Sequence, residues 1–236
     1  MSLTVDAVIV AAGASTRFGL DKLAAELAGR PVLAWTLAAY EAAASIDRVI
    51  VVSAPERRGW VTELALRWAP TKCLAVVEGG ARRRESVEAG LRASRCRYVA
   101  IADGARPLTS PEQIDACVAA AEGEPGAVLA IPVTDSIKEV ADGRIAGHPD
   151  RSRLWAAQTP QVVLRQAWLD AAARGDGDET DDAAMLARLG LECVVVEGSP
   201  ENLKVTRPAD LEIAALILRR RFVPGSLSRV GTAPVA

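Results

Sequence analysis

Two kinds of hydrophobic pattern alternate along the first 132 residues of the chain. Short apolar runs rich in β-branched residues predict buried strands, and segments whose apolar residues recur every three or four positions predict helices. Strands are predicted at residues 5–10, 48–52, 73–77, 98–102 and 127–132. Helices are predicted at residues 31–43, 56–68, 84–93 and 110–121, the last with Ser110 as its N-cap.

This alternation predicts an α/β domain built on a mostly parallel, twisted sheet with helices on both faces. Right-handed crossovers make an open, doubly wound sheet the natural topology. In such sheets, ligands bind in the crevice at the carboxyl ends of the strands. Glycines, cations and a carboxylate follow the first, third and fourth predicted strands, so we expect them to meet in one crevice.

The pattern changes between residues 134 and 160, where polar residues and glycines alternate with isolated apolar ones. This change predicts a hairpin or extended arm, centred on residues 136–156. Regular α/β patterning then resumes, with helices predicted at 164–173, 181–189 and 208–221 and a strand at 192–197. We therefore predict one domain at residues 1–222 that includes the arm, followed by a flexible tail at 223–236 that is rich in Pro, Gly, Ser and Thr.

Composition narrows the class of protein. The 236 residues are 50% hydrophobic and carry a formal net charge of -2, which permits a large core and disfavours nucleic acid as the partner. No apolar run has the roughly 18 residues that a membrane helix needs, and the first residues lack the basic region of a signal peptide, so no membrane partner is expected. The four cysteines form no Cys-x-x-Cys pair and are interpreted as buried free thiols of a cytoplasmic protein.

The loop after the first predicted strand has the composition of a phosphate site. Its small residues, Ala11 to Ser15, let backbone N–H groups approach a polyphosphate, and Arg17 and Lys22 can neutralise its charge. The loop matches neither the Walker pattern nor Gly-x-Gly-x-x-Gly. An ordinary tight turn with surface charges is the alternative, and the loop by itself does not decide between the two.

Asp103 follows the fourth predicted strand and begins the segment Asp103-Gly104-Ala105-Arg106-Pro107. A carboxylate at the end of a buried strand, beside a phosphate loop, suits Mg²⁺, which takes its remaining ligands from phosphate and water. A turn-forming Asp is the alternative, and the position at the crevice favours the metal. The chain has one histidine, His148, so a Ser-His-Asp triad or a histidine-rich zinc site is disfavoured.

Two further groups of residues carry weaker signals. The pair Gly79-Gly80, followed by a helix that contains Ser86, suits the approach of a base or ribose, whereas Arg82, Arg83 and Arg84 are interpreted as a solvated basic run. Hydroxyls and cations suited to a phosphorylated polyol recur in five later segments: 134–138, Arg151, 158–161, 180–182 and 202–206.

Taken in order, these blocks resemble the 2-C-methyl-D-erythritol 4-phosphate cytidylyltransferase family over residues 5 to about 218. The blocks Thr159-Pro160-Gln161 and Asn202-Leu203-Lys204-Val205-Thr206 are the most specific, while the glycine-rich start is shared by many sugar-nucleotide pyrophosphorylases. The resemblance implies a Rossmann-like nucleotidyltransferase fold and a protruding β-arm that interlocks two subunits. It also implies transfer of CMP from CTP to methylerythritol 4-phosphate in the non-mevalonate isoprenoid pathway.

The resemblance implies roles for individual residues. Arg17, Lys22 and Lys204 would be catalytic: Arg17 and Lys22 would hold the triphosphate, and Lys204 would lie near the reacting phosphate. Asp103 would bind Mg²⁺. The nucleotide would contact Ala11, Ala12, Gly13, Ala14, Ser15, Gly79, Gly80 and Ser86. The acceptor would contact Arg106, Ser136, Arg151, Thr159 and Thr180, together with Lys204.

The chain departs from the family pattern in two segments: the short loop between Arg17 and Lys22, and the metal block, which begins with Ala102 where the family usually has His. Asp21 stands where the family usually has Pro before the lysine, and either weaker triphosphate binding or recruitment of metal is expected from it. Gly104 replaces an Ala and is expected to loosen the metal loop. Three alternatives remain: a cytidylyltransferase for another polyol phosphate such as ribitol 5-phosphate, a nucleotide-binding module without activity, and a glycosyltransferase, which the lack of a strand-terminal Asp-x-Asp disfavours.

Overall fold

The computed structural model describes residues 3–13, 21–175, 179 and 181–222. The strands there are β1 (Val5–Ala11), β2 (Glu26–Leu27), β3 (Arg30–Pro31), β4 (Ile46–Ser53), β5 (Cys73–Glu78), β6 (Tyr98–Asp103), β7 (Gly126–Pro132), β8 (Glu139–Ala141), β9 (Arg144–Gly147), β10 (Trp155–Leu164) and β11 (Val194–Glu197). The helices are α1 (Val32–Ala42), α2 (Arg58–Trp68), α3 (Arg83–Ala93), α4 (Pro111–Ala120), α5 (Arg165–Ala173), α6 (Asp182–Ala187) and α7 (Pro208–Phe222). Two 3₁₀ turns lie at Pro55–Arg57 and Arg151–Arg153.

Seven strands form the central sheet of the described residues, in the order β11-β7-β10-β6-β1-β4-β5. β1 pairs in parallel with both β4 and β6, so the chain order reverses at β1. A crevice opens at such a switch point, outside the carboxyl ends of the strands. The predicted α/β fold with a mostly parallel sheet is confirmed.

Two hydrophobic clusters cover the two faces of the sheet. One face packs against α1, α2 and α4, with Tyr40 and Ile114 fully buried. The other packs against α3, α5 and α6, with Trp168 fully buried. A smaller cluster lies beneath α7 and includes Val205. Each predicted element in the first 132 residues is present with ends within two residues, because buried strands and amphipathic helices carry the strongest periodic signals.

The predicted limits of the arm, residues 136–156, are partly wrong. The short hairpin β8–β9 lies within it and makes a separate two-stranded sheet, with Val140 and Ile145 exposed. Trp155 already belongs to β10, which runs antiparallel between β6 and β7, and residues 155–160 thus belong to the central sheet rather than to the arm. The polar residues of this stretch conceal the strand because, like Gln158 and Thr159, they lie at the crevice.

The cysteine prediction is wrong in part. All four cysteines are free, but only Cys117 is buried, while Cys73, Cys96 and Cys193 are partly exposed. Apolar neighbours in the sequence do not show how much of a cysteine side chain the adjoining helices cover in the fold. No helix among the described residues is both long and apolar enough to cross a bilayer. The predicted tail at 223–236 lies outside the described residues.

Candidate active site

A cavity of about 370 Å³ opens at the carboxyl ends of the neighbouring strands β1 and β6, next to the point where the strand order reverses. The β1 end contributes Ala11, Ala12 and Gly13, and the β6 end contributes Asp103. Lys22 and Lys204 complete the wall with two cations from opposite ends of the chain. The predicted convergence of these loops in one crevice is therefore correct.

The glycine pair shapes one side of this cavity in two different ways. A Cβ on Gly79 would lie 2.6 Å from the Ala12 Cβ and 2.7 Å from the Ser86 Oγ, so Gly79 lies behind the wall and lets these residues approach. Gly80 lines the cavity itself, and a Cβ there would meet Glu85. Ser86 is 2% exposed and donates its hydroxyl to the carbonyl of Arg82 at 3.2 Å. Direct nucleotide contact thus suits Gly80 and Ser86, and Gly79 supports them.

Asp103 is surrounded by three cations in the described part of the site. Its Oδ2 lies 2.8 Å from the Lys204 Nζ and 3.8 Å from the Arg106 Nε, and its Oδ1 lies 3.8 Å from the Arg83 Nε. Burial alone would raise the pKa of this carboxyl, but the neighbouring charges of Lys204 and Arg83 bring the pKa below its ordinary value. Asp103 is therefore an anion at neutral pH.

Lys204 reaches Asp103 because the segment before it is bonded to the loop that follows β6. Asn202 is fully buried, accepts a hydrogen bond from the Thr109 hydroxyl at 2.8 Å, and accepts another from the Arg106 Nη1 at its carbonyl. The Val205 N–H donates to the Ala105 carbonyl at 2.8 Å. These bonds fix both sides of Lys204, so its side chain projects over the end of β6.

A second cavity of about 280 Å³ adjoins the first and has Arg83, Asp103 and Lys204 in common with it. Its other walls come from β10, from Arg106 and from Asp181. The Thr159 hydroxyl accepts the Asp103 N–H at 3.1 Å, so this threonine both fixes Asp103 and lines the cavity. Arg106 is 9% exposed, and its Nε has no hydrogen-bond partner within the described part of the chain.

Arg83 contradicts the interpretation of residues 82–84 as a solvated basic run. Its guanidinium donates to both carboxylate oxygens of Asp182, at 3.2 and 2.7 Å, and it lines both cavities. Burial raises the pKa of Asp182, although the pair with Arg83 opposes this. The available signal was spacing: Arg83 lies three residues before Ser86 on the first turn of α3, so both face the same side.

Asp21 and Gly104, which depart from the family pattern, have structural partners. The Gly104 N–H donates to the Val10 carbonyl at 2.9 Å, and its carbonyl accepts the Thr36 hydroxyl at 3.0 Å. The loosening of the metal loop expected from Gly104 stays a prediction. Asp21 accepts a hydrogen bond from the Arg57 Nη1 at 2.9 Å. Its carboxylate is therefore engaged by a cation and does not line either cavity.

Three predicted site residues within the described part of the chain do not line these cavities: Gly79, which lies behind the wall, Ser136 and Arg151. Ser136 is exposed and Arg151, also exposed, donates to the Thr134 carbonyl at 2.7 Å, so neither lines the cavities of its own chain. Arg17 and Thr180, together with Ala14 and Ser15, lie outside the described residues.

The donor set suits a magnesium ion that is held jointly with phosphates. No group of three or more His, Cys, Asp or Glu side chains that could hold a metal occurs among the residues described. Mg²⁺ needs only one or two carboxylates when phosphate oxygens and water fill its other positions. Asp103 provides one carboxylate, at the wall common to both cavities.

Known proteins match this chain over nearly its whole length. Residues 5–220 match the model of the family described as IspD, 2-C-methyl-D-erythritol 4-phosphate cytidylyltransferase. The enzyme of that name from Synechococcus elongatus is 46% identical over 222 residues, which cover 91% of this chain and 96% of that protein. The one from Cereibacter sphaeroides is 43% identical and covers 92% and 97%.

Solved structures resemble the chain over nearly the same span. The structure of 4-diphosphocytidyl-2C-methyl-D-erythritol synthase from Anaerococcus prevotii matches with a TM-score of 0.81 at 25% identity, covering 92% of this chain and 99% of that one. The 2-C-methyl-D-erythritol 4-phosphate cytidylyltransferase from Thermus thermophilus matches with a TM-score of 0.74 at 29% identity, covering 92% and 100%. The chain belongs to the 2-C-methyl-D-erythritol 4-phosphate cytidylyltransferase family.

Proposed function

We propose that the two adjoining cavities are the donor and acceptor halves of one active site, which transfers CMP from CTP to 2-C-methyl-D-erythritol 4-phosphate and releases pyrophosphate. The observation that supports this most is the set of three charged residues, Arg83, Asp103 and Lys204, that both cavities have in common. A transfer between two substrates requires their reacting atoms to meet, and the common wall is where they can do so.

In the donor half, the backbone N–H groups at the end of β1 approach the triphosphate, and Lys22 neutralises part of its charge. Arg17 has the same proposed role on the strength of the family pattern. Gly80 and Ser86 line the far side of the cavity, where the cytosine and ribose would lie. In the acceptor half, Arg106 and Thr159 offer a cation and a hydroxyl to a phosphorylated polyol.

The reaction needs positioning and charge more than acid–base groups. An oxygen of the acceptor phosphate attacks the α-phosphorus of CTP and forms a new P–O bond, while the bond to the β-phosphate breaks and its electron pair leaves with pyrophosphate. The attacking oxygen is already anionic near neutral pH, so no general base has to remove a proton. Lys22 and Lys204 would stabilise the negative charge on the phosphorus oxygens in the transition state. This agrees with a chain that has a single histidine, His148.

We propose that Asp103 and the phosphate oxygens of CTP hold Mg²⁺ between them. When bound, the ion neutralises charge on the triphosphate and favours departure of pyrophosphate.

We also propose a homodimer formed through the arm, in which each subunit completes the other's site. Ser136 and Arg151 lie outside the cavities of their own chain, so a role for them in acceptor binding requires the arm of a second subunit. The exposed side chains of Val140 and Ile145 on the arm offer apolar surface for such contact. A cytoplasmic location is consistent with four free cysteines.

The deciding experiment measures pyrophosphate release from CTP and Mg²⁺ with methylerythritol 4-phosphate as the acceptor. A parallel assay replaces the acceptor with ribitol 5-phosphate, and a third omits it. We expect turnover with methylerythritol 4-phosphate that exceeds turnover with ribitol 5-phosphate. Turnover with ribitol 5-phosphate alone would reassign the acceptor, and CTP binding without any pyrophosphate release would identify a non-catalytic module.

A further inference from the structure

Arg57 makes three hydrogen bonds directly behind the donor half of the site. Its Nη2 donates to the Ala11 and Gly13 carbonyls, each at 3.0 Å, and its Nη1 donates to the Asp21 Oδ1 at 2.9 Å. These acceptors lie at the end of β1 and just before Lys22. One guanidinium therefore connects the strand end to the segment that carries a proposed catalytic lysine.

The topology explains why residue 57 is in reach of both. β4 lies beside β1 in parallel register, with Ser53 opposite Ala11, so the turn Pro55–Arg57 begins next to the end of β1. The Arg57 N–H donates to the Ala54 carbonyl at 3.1 Å, which closes this turn. The side chain of Arg57 is only 16% exposed, so water screens its ion pair with Asp21 less than it screens a surface pair.

Lys22 lies between two anchored neighbours. On one side, Asp21 binds Arg57 and also accepts the Leu23 N–H at 3.1 Å. On the other, Leu23 is 3% exposed in the core, and its carbonyl accepts the Leu33 N–H at 3.1 Å. The backbone at Lys22 is thereby fixed from both directions.

We propose that Arg57 and Asp21 form a clamp that positions Lys22 and the end of β1 for the triphosphate of CTP. Neither residue lines a cavity, so both are positioning residues that act through Lys22 and the backbone of Ala11 and Gly13. This gives a role to Asp21, which stands at a departure from the family pattern. The clamp rests on the proposed function in that CTP is the ligand of the donor half.

The test measures the Kd of CTP with Mg²⁺ by isothermal titration without acceptor, and then KM for each substrate. In Arg57→Ala, the clamp predicts that the Kd and KM of CTP rise about tenfold while KM of the acceptor changes less than about twofold, because displaced phosphate-binding groups weaken the donor half. The Kd and KM of CTP in Arg57→Lys should lie between those of the wild type and of Arg57→Ala. The lysine ammonium can pair with Asp21, but it lacks the forked guanidinium that also reaches the two carbonyls. Arg48→Ala, which removes an exposed arginine paired with Asp47, is the matched control and should leave both constants unchanged.

A double-mutant cycle tests whether the two residues act together. Asp21→Ala should weaken CTP binding much less in an Arg57→Ala background than in the wild type, because the pair with Arg57 is already lost and only the bond to the Leu23 N–H remains to be removed. Wild-type affinity for CTP in folded Arg57→Ala would overturn the clamp, as would equal losses for donor and acceptor. If Arg57→Ala does not fold, the same comparison of the Kd and KM of CTP with the KM of the acceptor is made in Arg57→Lys and Asp21→Ala. Absence of turnover in the wild type would count against the proposed function, whereas the Kd comparison for CTP would still test the clamp.

Discussion

At the scale of single residues, the site is a row of alternating charges: Lys204, Asp103, Arg83 and Asp182. Both carboxyls are buried, yet the pKa of Asp103 is lowered and that of Asp182 is raised. Burial raises the pKa of both carboxyls, and the number of nearby cations decides the direction of the net shift. Among the described residues, Asp103 faces three cations, Lys204, Arg83 and Arg106. Asp182 faces only Arg83 as a cation in the same part of the chain and is repelled by Asp103. Asp103 is thus kept anionic by its neighbouring cations.

Lys204→Ala should raise the pKa of Asp103, because it removes the cation nearest to the carboxylate. In the wild type the folded pKa lies below the unfolded one. The carboxylate therefore stabilises the fold above the unfolded pKa, and this contribution is lost as pH falls through the folded pKa. Carbon-13 NMR titration of the carboxyl measures the shift directly. An unchanged pKa in the variant would mean that Arg83 and Arg106 alone set it.

Lys22→Ala and Lys204→Ala should each lower kcat/KM at least about tenfold, which corresponds to about 1.4 kcal/mol of barrier. Each lysine lines the cavity that we assign to the triphosphate, so each loss removes charge that stabilises the transferring phosphoryl group. Arg92→Ala removes an exposed arginine paired with Glu88 on α3 and should leave the rate unchanged. Wild-type rates in both lysine variants, with circular dichroism unaltered, would refute their assigned roles.

At the scale of elements, a few buried side chains join helices and strands that are distant in sequence. Gln161 on β10 accepts the N–H groups of Asp182 and Ala183 at 3.0 and 2.9 Å, which satisfies the start of α6. Arg83 joins the first turn of α3 to the same helix through Asp182. The acceptor half of the site is therefore built by fixing α6 against α3 and β10.

Arg83→Met should destabilise the fold by about 2–3 kcal/mol at neutral pH, because it leaves the buried Asp182 without its cation. This loss of stability is smaller than that expected for a fully buried ion pair, because the side chain of Arg83 is 35% exposed. Protonation of Asp182 relieves the unpaired charge, so the loss should shrink as the pH is lowered. Urea unfolding at two pH values measures both effects. Arg92→Met should change stability by less than about 0.5 kcal/mol, and an equal loss in the two variants would contradict the link.

At the scale of the whole molecule, one chain does not bring all the predicted acceptor residues together. Arg106 and Thr159 line the second cavity, but Ser136 and Arg151 do not. Ser136 and Arg151 lie in the arm region, outside the body of the sheet. The proposed dimer with exchanged arms would give all four residues a common role.

Subunit mixing tests this arrangement. Arg151→Ala and Lys204→Ala homodimers should each be weakly active, but a mixed dimer contains one site with an intact Lys204 and an intact arm from the partner. An unfolded and refolded equimolar mixture should therefore recover roughly a quarter of wild-type activity, since half of the dimers are mixed and one of their two sites is intact. Activity no higher than the mean of the two variants would contradict a shared site. Light scattering checks the dimer, and a monomer at assay concentration would exclude it.

The sequence alone determined the order and type of most elements and the identity of several crevice residues. Periodicity predicts buried strands and amphipathic helices well, because the apolar residues of a buried face recur in the sequence at a regular spacing. The loop at Ala11–Gly13, Asp103 and Lys204 were predicted as site residues, and the crevice contains them. The end of the arm was misjudged, because the polar start of β10 faces a cavity and so lacks the pattern of a strand.

Only the tertiary structure decided which charges are partners. Arg83 lies between two arginines in the sequence, and its spacing to Ser86 indicates only which way it faces, whereas the placement of α3 and α6 on the same face of the sheet gives it Asp182. Asp21 was expected to weaken phosphate binding or recruit metal, and its pairing with Arg57 depends on β4 lying beside β1. Sequence patterns report how buried a face is, but an ion pair between residues 36 or 99 positions apart exists only once the sheet brings their elements together.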